Sequence, residues 1–162
     1  MLTLKEFITH DKGTYVSAIL SDTSKHELGK FVVDNVKNAD HVDPNTYHTT
    51  IIYSRSPVPS AEKYSGKINQ HGKIVGYELF DTKDGSKCLV AKVDFPYGTQ
   101  LNELLMKSGA TSDYDSYRPH ITLCYPYTGS SDIESIPVPN IDIVYDMIDV
   151  QPLDEDYTPP SK

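Results

Sequence analysis

Two short segments concentrate the side chains that could do chemistry: Tyr47-His48-Thr49-Thr50-Ile51-Ile52-Tyr53 and Pro119-His120-Ile121-Thr122-Leu123-Cys124-Tyr125. Each carries His-x-Thr inside a β-branched and aromatic run that reads as a strand. Strand side chains alternate between faces, so His48 and Thr50 point the same way, as do His120 and Thr122. With an ordinary pKa near ~6.5, one imidazole can be neutral while a second is protonated at neutral pH. Threonine hydroxyls can donate hydrogen bonds to anionic oxygens. Together these groups meet the needs of phosphodiester cleavage without a metal: a base for the nucleophile, an acid for the leaving oxygen, and donors for the charged phosphoryl oxygens.

The elements that must position these groups follow from periodicity and turn chemistry. Thr14–Leu20 reads as a half-buried strand, and Leu28, Phe31, Val32, Asn35 and Val36 recur at helical spacing within a helix expected over 24–38. A loop at 40–45 then delivers the chain into the first motif strand. After the proline-rich 54–60 segment and a helical turn near 61–64, strands are predicted over 73–81 and 87–95, joined through Asp84-Gly85. A second helix carries Leu101, Leu104, Leu105 and Met106 and ends near Gly109, a polar loop leads into the second motif strand, and 141–150 forms the last strand. Strand, helix and motif strand thus occur in that order twice. This predicts an α+β fold of two pseudo-symmetric antiparallel lobes with outer helices, facing each other across a central cleft. Residues 1–162 form one such two-lobed domain, with a short helical or irregular lead-in at 2–9 and an acidic, proline-bearing tail at 152–162 expected to be mobile.

A single His-x-Thr would be unremarkable in a chain with six histidines. His10, His26, His41 and His71 have no Ser or Thr two places on and read as surface or loop residues. His48 and His120 share a strand context, a preceding loop, and an aromatic residue five positions later, Tyr53 and Tyr125. On these motifs the chain resembles the two-histidine phosphoesterases, which carry a duplicated His-x-Thr or His-x-Ser on strands of two pseudo-symmetric lobes. Element order extends the resemblance over about residues 14 to 150, while its specific part is the two motifs. Length, acidity and the Arg118-Pro119-His120 approach are most similar to the small phage members that degrade cyclic oligonucleotide immune signals, the anti-CBASS phosphodiesterases.

The resemblance implies cleavage of 3′-5′ linkages in cyclic di- or trinucleotides, without cofactor or metal, by attack of the ribose 2′-hydroxyl and formation of a 2′,3′-cyclic phosphate. Catalysis would fall to His48, Thr50, His120 and Thr122. Tyr15 could stack on a nucleobase, Tyr117 and Arg118 could meet a base or phosphate, and Asp149 could accept from a base edge. The bland reading of each is core packing, an ordinary ion pair or a solvated carboxylate.

Composition bounds the alternatives. A net charge of -8 with only two arginines, Arg55 and Arg118, argues against a long nucleic acid as partner. No apolar run approaches a membrane span, and Met1–Phe7 lacks a secretory pattern, so a cytosolic location is expected, the host cytosol for a viral protein. Cys88 and Cys124 read as free buried thiols of a reducing compartment. A metal hydrolase lacks His-Glu-x-x-His or Cys-x-x-Cys spacing, and a Cys124 nucleophile lacks any sign of activation. RNA end processing with the same four residues and non-catalytic sequestration of a cyclic nucleotide remain the other readings; oligomeric state is open.

Overall fold

The computed structural model describes residues 12–37, 39–130 and 132–154. β1 (Thr14–Leu20) coincides with the predicted strand. Ser21 then caps α1 (Asp22–Asn35) by accepting from the Ser24 N–H at 3.2 Å, and Asp22 puts a carboxylate at the positive end of the helix dipole. The helix therefore starts and stops earlier than the expected 24–38. Ser24, the expected start of the helix, turns its side chain inward and accepts the Val144 N–H at 2.8 Å. A 3-10 turn (Pro44–Thr46) leads into β2 (His48–Ser54). Gly29 lets this turn lie directly on α1: a Cβ there would stand 2.8 Å from Pro44 Cγ. The helix thereby sets where the first motif strand begins.

A second 3-10 segment (Pro59–Tyr64) precedes β3 (Gly66–Asp81), which turns at Gly85, φ +83°, into β4 (Lys87–Asp94). β3 extends well before the predicted Lys73. The added stretch, Gly66-Lys67-Ile68-Asn69-Gln70-His71-Gly72, is mostly polar, and it is main-chain pairing with β6, from Gly66 opposite Ile148 to Gly72 opposite Ile143, that makes it a strand. α2 (Pro96–Lys107) opens on a proline, whose missing N–H is no loss in a first turn. β5 (His120–Cys124), a 3-10 turn (Ile133–Ser135) and β6 (Asp142–Pro152) follow. Pro152 closes β6, and buried Leu153 donates its N–H to the Gly13 carbonyl at 2.9 Å, so the chain stays in the body past the expected tail start. Residues 155–162 of that tail and the lead-in at 2–9 lie outside the described residues.

The six strands form one antiparallel sheet in the order β2-β1-β6-β3-β4-β5. Its centre is the β6-β3 pair. On one side β1, α1 and β2 follow outward; on the other β4, α2 and β5 do the same, which is the duplication that element order implies. Leu28 and Val32 of α1 and Leu101 and Leu105 of α2 join Val16, Ile74, Leu89 and Ile143 in one buried cluster. The helices thus cover one face of the sheet and leave the other open. Both motif strands are sheet edges, and the sheet curls until β2 and β5 touch. The fold is α+β, with outer helices and a cleft between related halves. Among the described residues no helix is long and apolar enough to cross a membrane.

Candidate active site

Each motif histidine is held by the same local device. His48 Nδ1 lies 2.8 Å from the Thr46 carbonyl, and His120 Nδ1 lies 2.8 Å from the Arg118 carbonyl, in both cases two residues upstream. A carbonyl only accepts, so Nδ1 carries the proton and Nε2 is the exchangeable position of each ring. Thr49 and Ile121, the middle residues of the motifs, are buried on the core side, whereas His48, Thr50, His120 and Thr122 are half-buried on the open side. The buried Thr49 hydroxyl meets the Tyr145 hydroxyl at 2.6 Å and is satisfied there.

Both motif strands carry a β-bulge at the same place. Val16 pairs with Ile52 and Ser17 with Thr50, leaving Ile51 unpaired; Leu89 pairs with Cys124 and Val90 with Thr122, leaving Leu123 unpaired. The extra residue shifts the phase of the strand. Ile51 and Ile52 both face the core, as do Leu123 and Cys124. In β2 the shift returns Tyr53 to the open face, although five positions would put it opposite His48 in a regular strand.

His48, Thr50 and Thr122 line a cavity of about 580 Å³ together with Tyr15, Ser17, Tyr53, Asp149 and Gln151. His120 lines an adjoining space of about 300 Å³, with Phe80, Tyr114, Tyr117 and Arg118, and Thr50 and Tyr53 form the wall common to both. The four motif residues, from the two edges of the sheet, therefore share one cleft, of a size suited to a small ligand.

The further candidates take differing places. Tyr15 is not a free stacking platform: its hydroxyl lies 2.9 Å from His48 Nε2 and 2.8 Å from Thr50 Oγ1, and its ring stands edge-on to those of His48 and Tyr53. Asp149 is in the cavity wall, where the Gln151 amide donates to its carboxylate at 3.0 Å. Tyr117 does not offer its hydroxyl to the cleft, because that group donates to the Thr50 carbonyl at 2.7 Å and so ties the loop before β5 to β2. Burial raises the Tyr117 pKa, which keeps this donor protonated. Arg118 is paired with Glu78 at 2.8 Å and lies over the Phe80 ring, 4.7 Å from its centroid.

Phe80, Tyr53, Glu78 and Cys88 escaped sequence reasoning as site residues. Phe80 sets its ring edge-on to His120 with centroids 4.8 Å apart. The Asp-Gly hairpin would have placed it opposite Cys88, but its nearness to His120 also needs the β4-β5 register. The Cys88 thiol points at the Thr122 hydroxyl at 3.9 Å.

Burial pushes the pKa of both histidines below the ordinary value, against the carbonyl bonds from Thr46 and Arg118, which favour the charged rings. Asp149 further favours the imidazolium at His48; His48 and Arg118 oppose it at His120, while Glu78 favours it there. Burial pushes the Cys124 thiol up to about 12, and it raises that of Cys88 too, so neither offers a thiolate near neutrality. Among the described residues no group of three or more His, Cys, Asp or Glu is placed to hold a metal ion.

Solved structures share this architecture. TT0787 of Thermus thermophilus superposes with a TM-score of 0.58 at 14% identity, covering 85% of this chain and 86% of that one. E. coli LigT in its apo form gives a TM-score of 0.54 at 16% identity, with 86% of each chain covered. The fold is that of the two-histidine phosphoesterases. Sequence relatives narrow the class. Anti-CBASS protein Acb1 of Enterobacteria phage T4 is 34% identical over 142 residues, spanning 85% of this chain and 88% of that protein, and Acb1 of Vibrio phage KVP40 is 32% identical over 127 residues, spanning 76% and 79%. Residues 12–160 match the family described as anti-CBASS protein Acb1, and the chain belongs to that family.

Proposed function

We propose that this chain is a metal-independent phosphodiesterase that opens 3′-5′ linkages of cyclic di- or trinucleotide signals and so blocks CBASS signalling in the host cytosol. The observation that carries the reading is the duplicated histidine setting: two rings on touching sheet edges, each with Nδ1 on a carbonyl at 2.8 Å and Nε2 as its exchangeable position, which at His48 meets the Tyr15 hydroxyl at 2.9 Å, beside two threonine hydroxyls. The whole chain acts as one two-lobed unit around that cleft.

In the first step the 2′-oxygen attacks phosphorus while one imidazole takes its proton, and the P–O5′ bond breaks as the second imidazole gives its proton to the 5′-oxygen. Thr50 and Thr122 donate to the non-bridging oxygens. With acid and base roles exchanged, water opens the resulting 2′,3′-cyclic phosphate to a 3′-phosphate. The charges near the rings support distinct starting roles. Burial disfavours the charged form of both rings; Asp149 offsets it at His48, which suits the acid, whereas at His120 the charges of His48 and Arg118 add to it against that of Glu78, which suits the base. Both arginines are already paired, Arg118 with Glu78 and Arg55 with Asp113, which suits a small nucleotide better than a long phosphate backbone.

The test is product analysis after incubation with a panel of cyclic di- and trinucleotides and short linear RNA. Linear product from a cyclic substrate is expected, unaffected by EDTA and lost when the scissile ribose is 2′-deoxy. His48→Ala and His120→Ala should each lower the rate by about 10²–10⁴-fold, the usual contribution of a positioned acid or base. Substantial turnover in either variant would remove the two-histidine assignment, and release of intact ligand would make the protein a sponge.

A further inference from the structure

The two halves of the cleft agree in their histidines and differ at their threonines. In the second half the Cys88 thiol donates to Thr122 Oγ1 at 3.9 Å, which leaves the threonine's own proton available to a ligand. In the first half Thr50 Oγ1 lies 2.8 Å from the Tyr15 hydroxyl oxygen, and that oxygen lies 2.9 Å from His48 Nε2. One phenolic proton thus serves two contacts. The His48 Nδ1 proton is committed to the Thr46 carbonyl, so Nε2 carries no proton in the neutral ring and one in the imidazolium.

These constraints fix the arrangement of the neutral state and relax it in the charged one. With His48 neutral, Tyr15 O–H donates to Nε2, the Tyr15 oxygen accepts from Thr50 O–H, and Thr50 turns only lone pairs toward the cleft. With His48 charged, Nε2–H donates to the Tyr15 oxygen, so Tyr15 O–H is no longer needed at Nε2 and can donate to Thr50 Oγ1, which releases the Thr50 proton to the cleft. Only the proton gained at Nε2 is new; the two hydroxyls merely rotate.

We propose that Tyr15 is a positioning residue that couples the charge of His48 to the donor direction of Thr50, so that the first half of the cleft offers a phosphodiester a hydroxyl donor only when His48 is charged. The proposal rests on the phosphodiesterase reading of the cleft. The groups facing His48 are Tyr15 and Ser17 of β1, Asp149 of β6 with Asp154 beyond it, and His120 of β5. Asp149 favours the charged His48 ring, and a charged His48 in turn disfavours a charged His120, so the switch involves residues of three strands. Loading the acid and preparing the anion site become one event, whereas Thr122 is a donor in either state.

The deoxydinucleotide d(ApA) is a suitable probe, since its single diester keeps one charge across the pH range and it has no 2′-hydroxyl to attack. Its affinity would be measured by titration calorimetry on both sides of the His48 midpoint, located by ¹H–¹⁵N spectra of the ring nitrogens. Hydrogen bonds to a charged group imply that Thr50→Val weakens binding about tenfold or more below the midpoint and about twofold or less above it. In the Tyr15→Phe background the same substitution should cost equally on both sides, and Thr122→Val should cost equally on both sides with Tyr15 present or absent. An equal cost of Thr50→Val across the midpoint in the otherwise native chain, or a pH dependence that survives Tyr15→Phe, overturns the relay while leaving the anion site standing. Absence of d(ApA) binding, with no change in either ring's spectrum, overturns the phosphodiester reading and the relay with it.

Discussion

Tyr117→Phe probes how the two halves of the cleft are kept in register. Tyr117 belongs to the loop before β5, yet its hydroxyl reaches the Thr50 carbonyl of β2 at 2.7 Å, and the next carbonyl, Ile51, accepts from Asn102 Nδ2 of α2 at 2.9 Å. These two bonds cap the outer edge of β2 around its bulge. Phenylalanine keeps the ring and removes only the donor. A neutral hydrogen bond contributes about 1 kcal/mol net, and a carbonyl left without a donor costs about 1–3 kcal/mol when water cannot replace it. At a half-buried sheet edge water replaces part of that loss, so about 1–2 kcal/mol is expected. For a chain of this size each kcal/mol moves Tm by about 2–4 °C, which gives a fall of about 2–8 °C by calorimetry. Thr50 moves with its carbonyl, so kcat on a cyclic dinucleotide should fall more than KM changes, by about tenfold for each ~1.4 kcal/mol of alignment lost. A Tm within about 1 °C of the native value together with an unchanged kcat would show that this bond does not hold the halves together.

Both histidines are shifted downward by burial, so the kcat/KM profile, which reports the free enzyme, should be a bell centred below about pH 6.5. A bound phosphodiester favours the imidazolium and should move the kcat profile to higher pH. The two midpoints belong to the interacting pair, and a kcat/KM optimum above about pH 7.5 would contradict the burial argument. Cys124→Ala should leave turnover intact, because the thiol is fully buried and pushed up to about 12, and should lower stability by about 1 kcal/mol for the lost packing. Lost turnover with a native Tm would instead place chemistry at the thiol. Gly29→Ala drives a Cβ to 2.8 Å from Pro44 Cγ and should cost about 1–3 kcal/mol in denaturant titrations, while displacing the turn that sets His48. An unchanged midpoint would mean that α1 does not fix that turn.

What could be read from the sequence is what local chemistry determines. The strand over Thr14–Leu20, the Asp-Gly hairpin and the two His-x-Thr words need only near neighbours, and the structure places each of these elements as expected. Residues 66–72 had no such signal, because a polar stretch becomes strand only when β6 supplies its pairing. The same limit applied to the site. That Tyr15 reaches His48 depends on the β1-β2 register, and that Phe80 abuts His120 depends on two successive registers, β3 with β4 and β4 with β5.

The bulges join these two kinds of information. An aromatic residue five positions after each histidine looks like a shared feature in the sequence, yet a regular strand would turn that residue away from the histidine's face. Ile51-Ile52 and Leu123-Cys124 are the trace of the answer: adjacent apolar residues that both face the core, which alternation forbids and a one-residue bulge permits. In β2 the bulge brings Tyr53 back to the wall shared by the His48 and His120 spaces. The phase shift recurs at the same offset in both motif strands, so the duplication extends beyond four side chains to the backbone that aims them. Its asymmetric part, a tyrosine beside Thr50 and a cysteine beside Thr122, is where otherwise matched halves can take different roles.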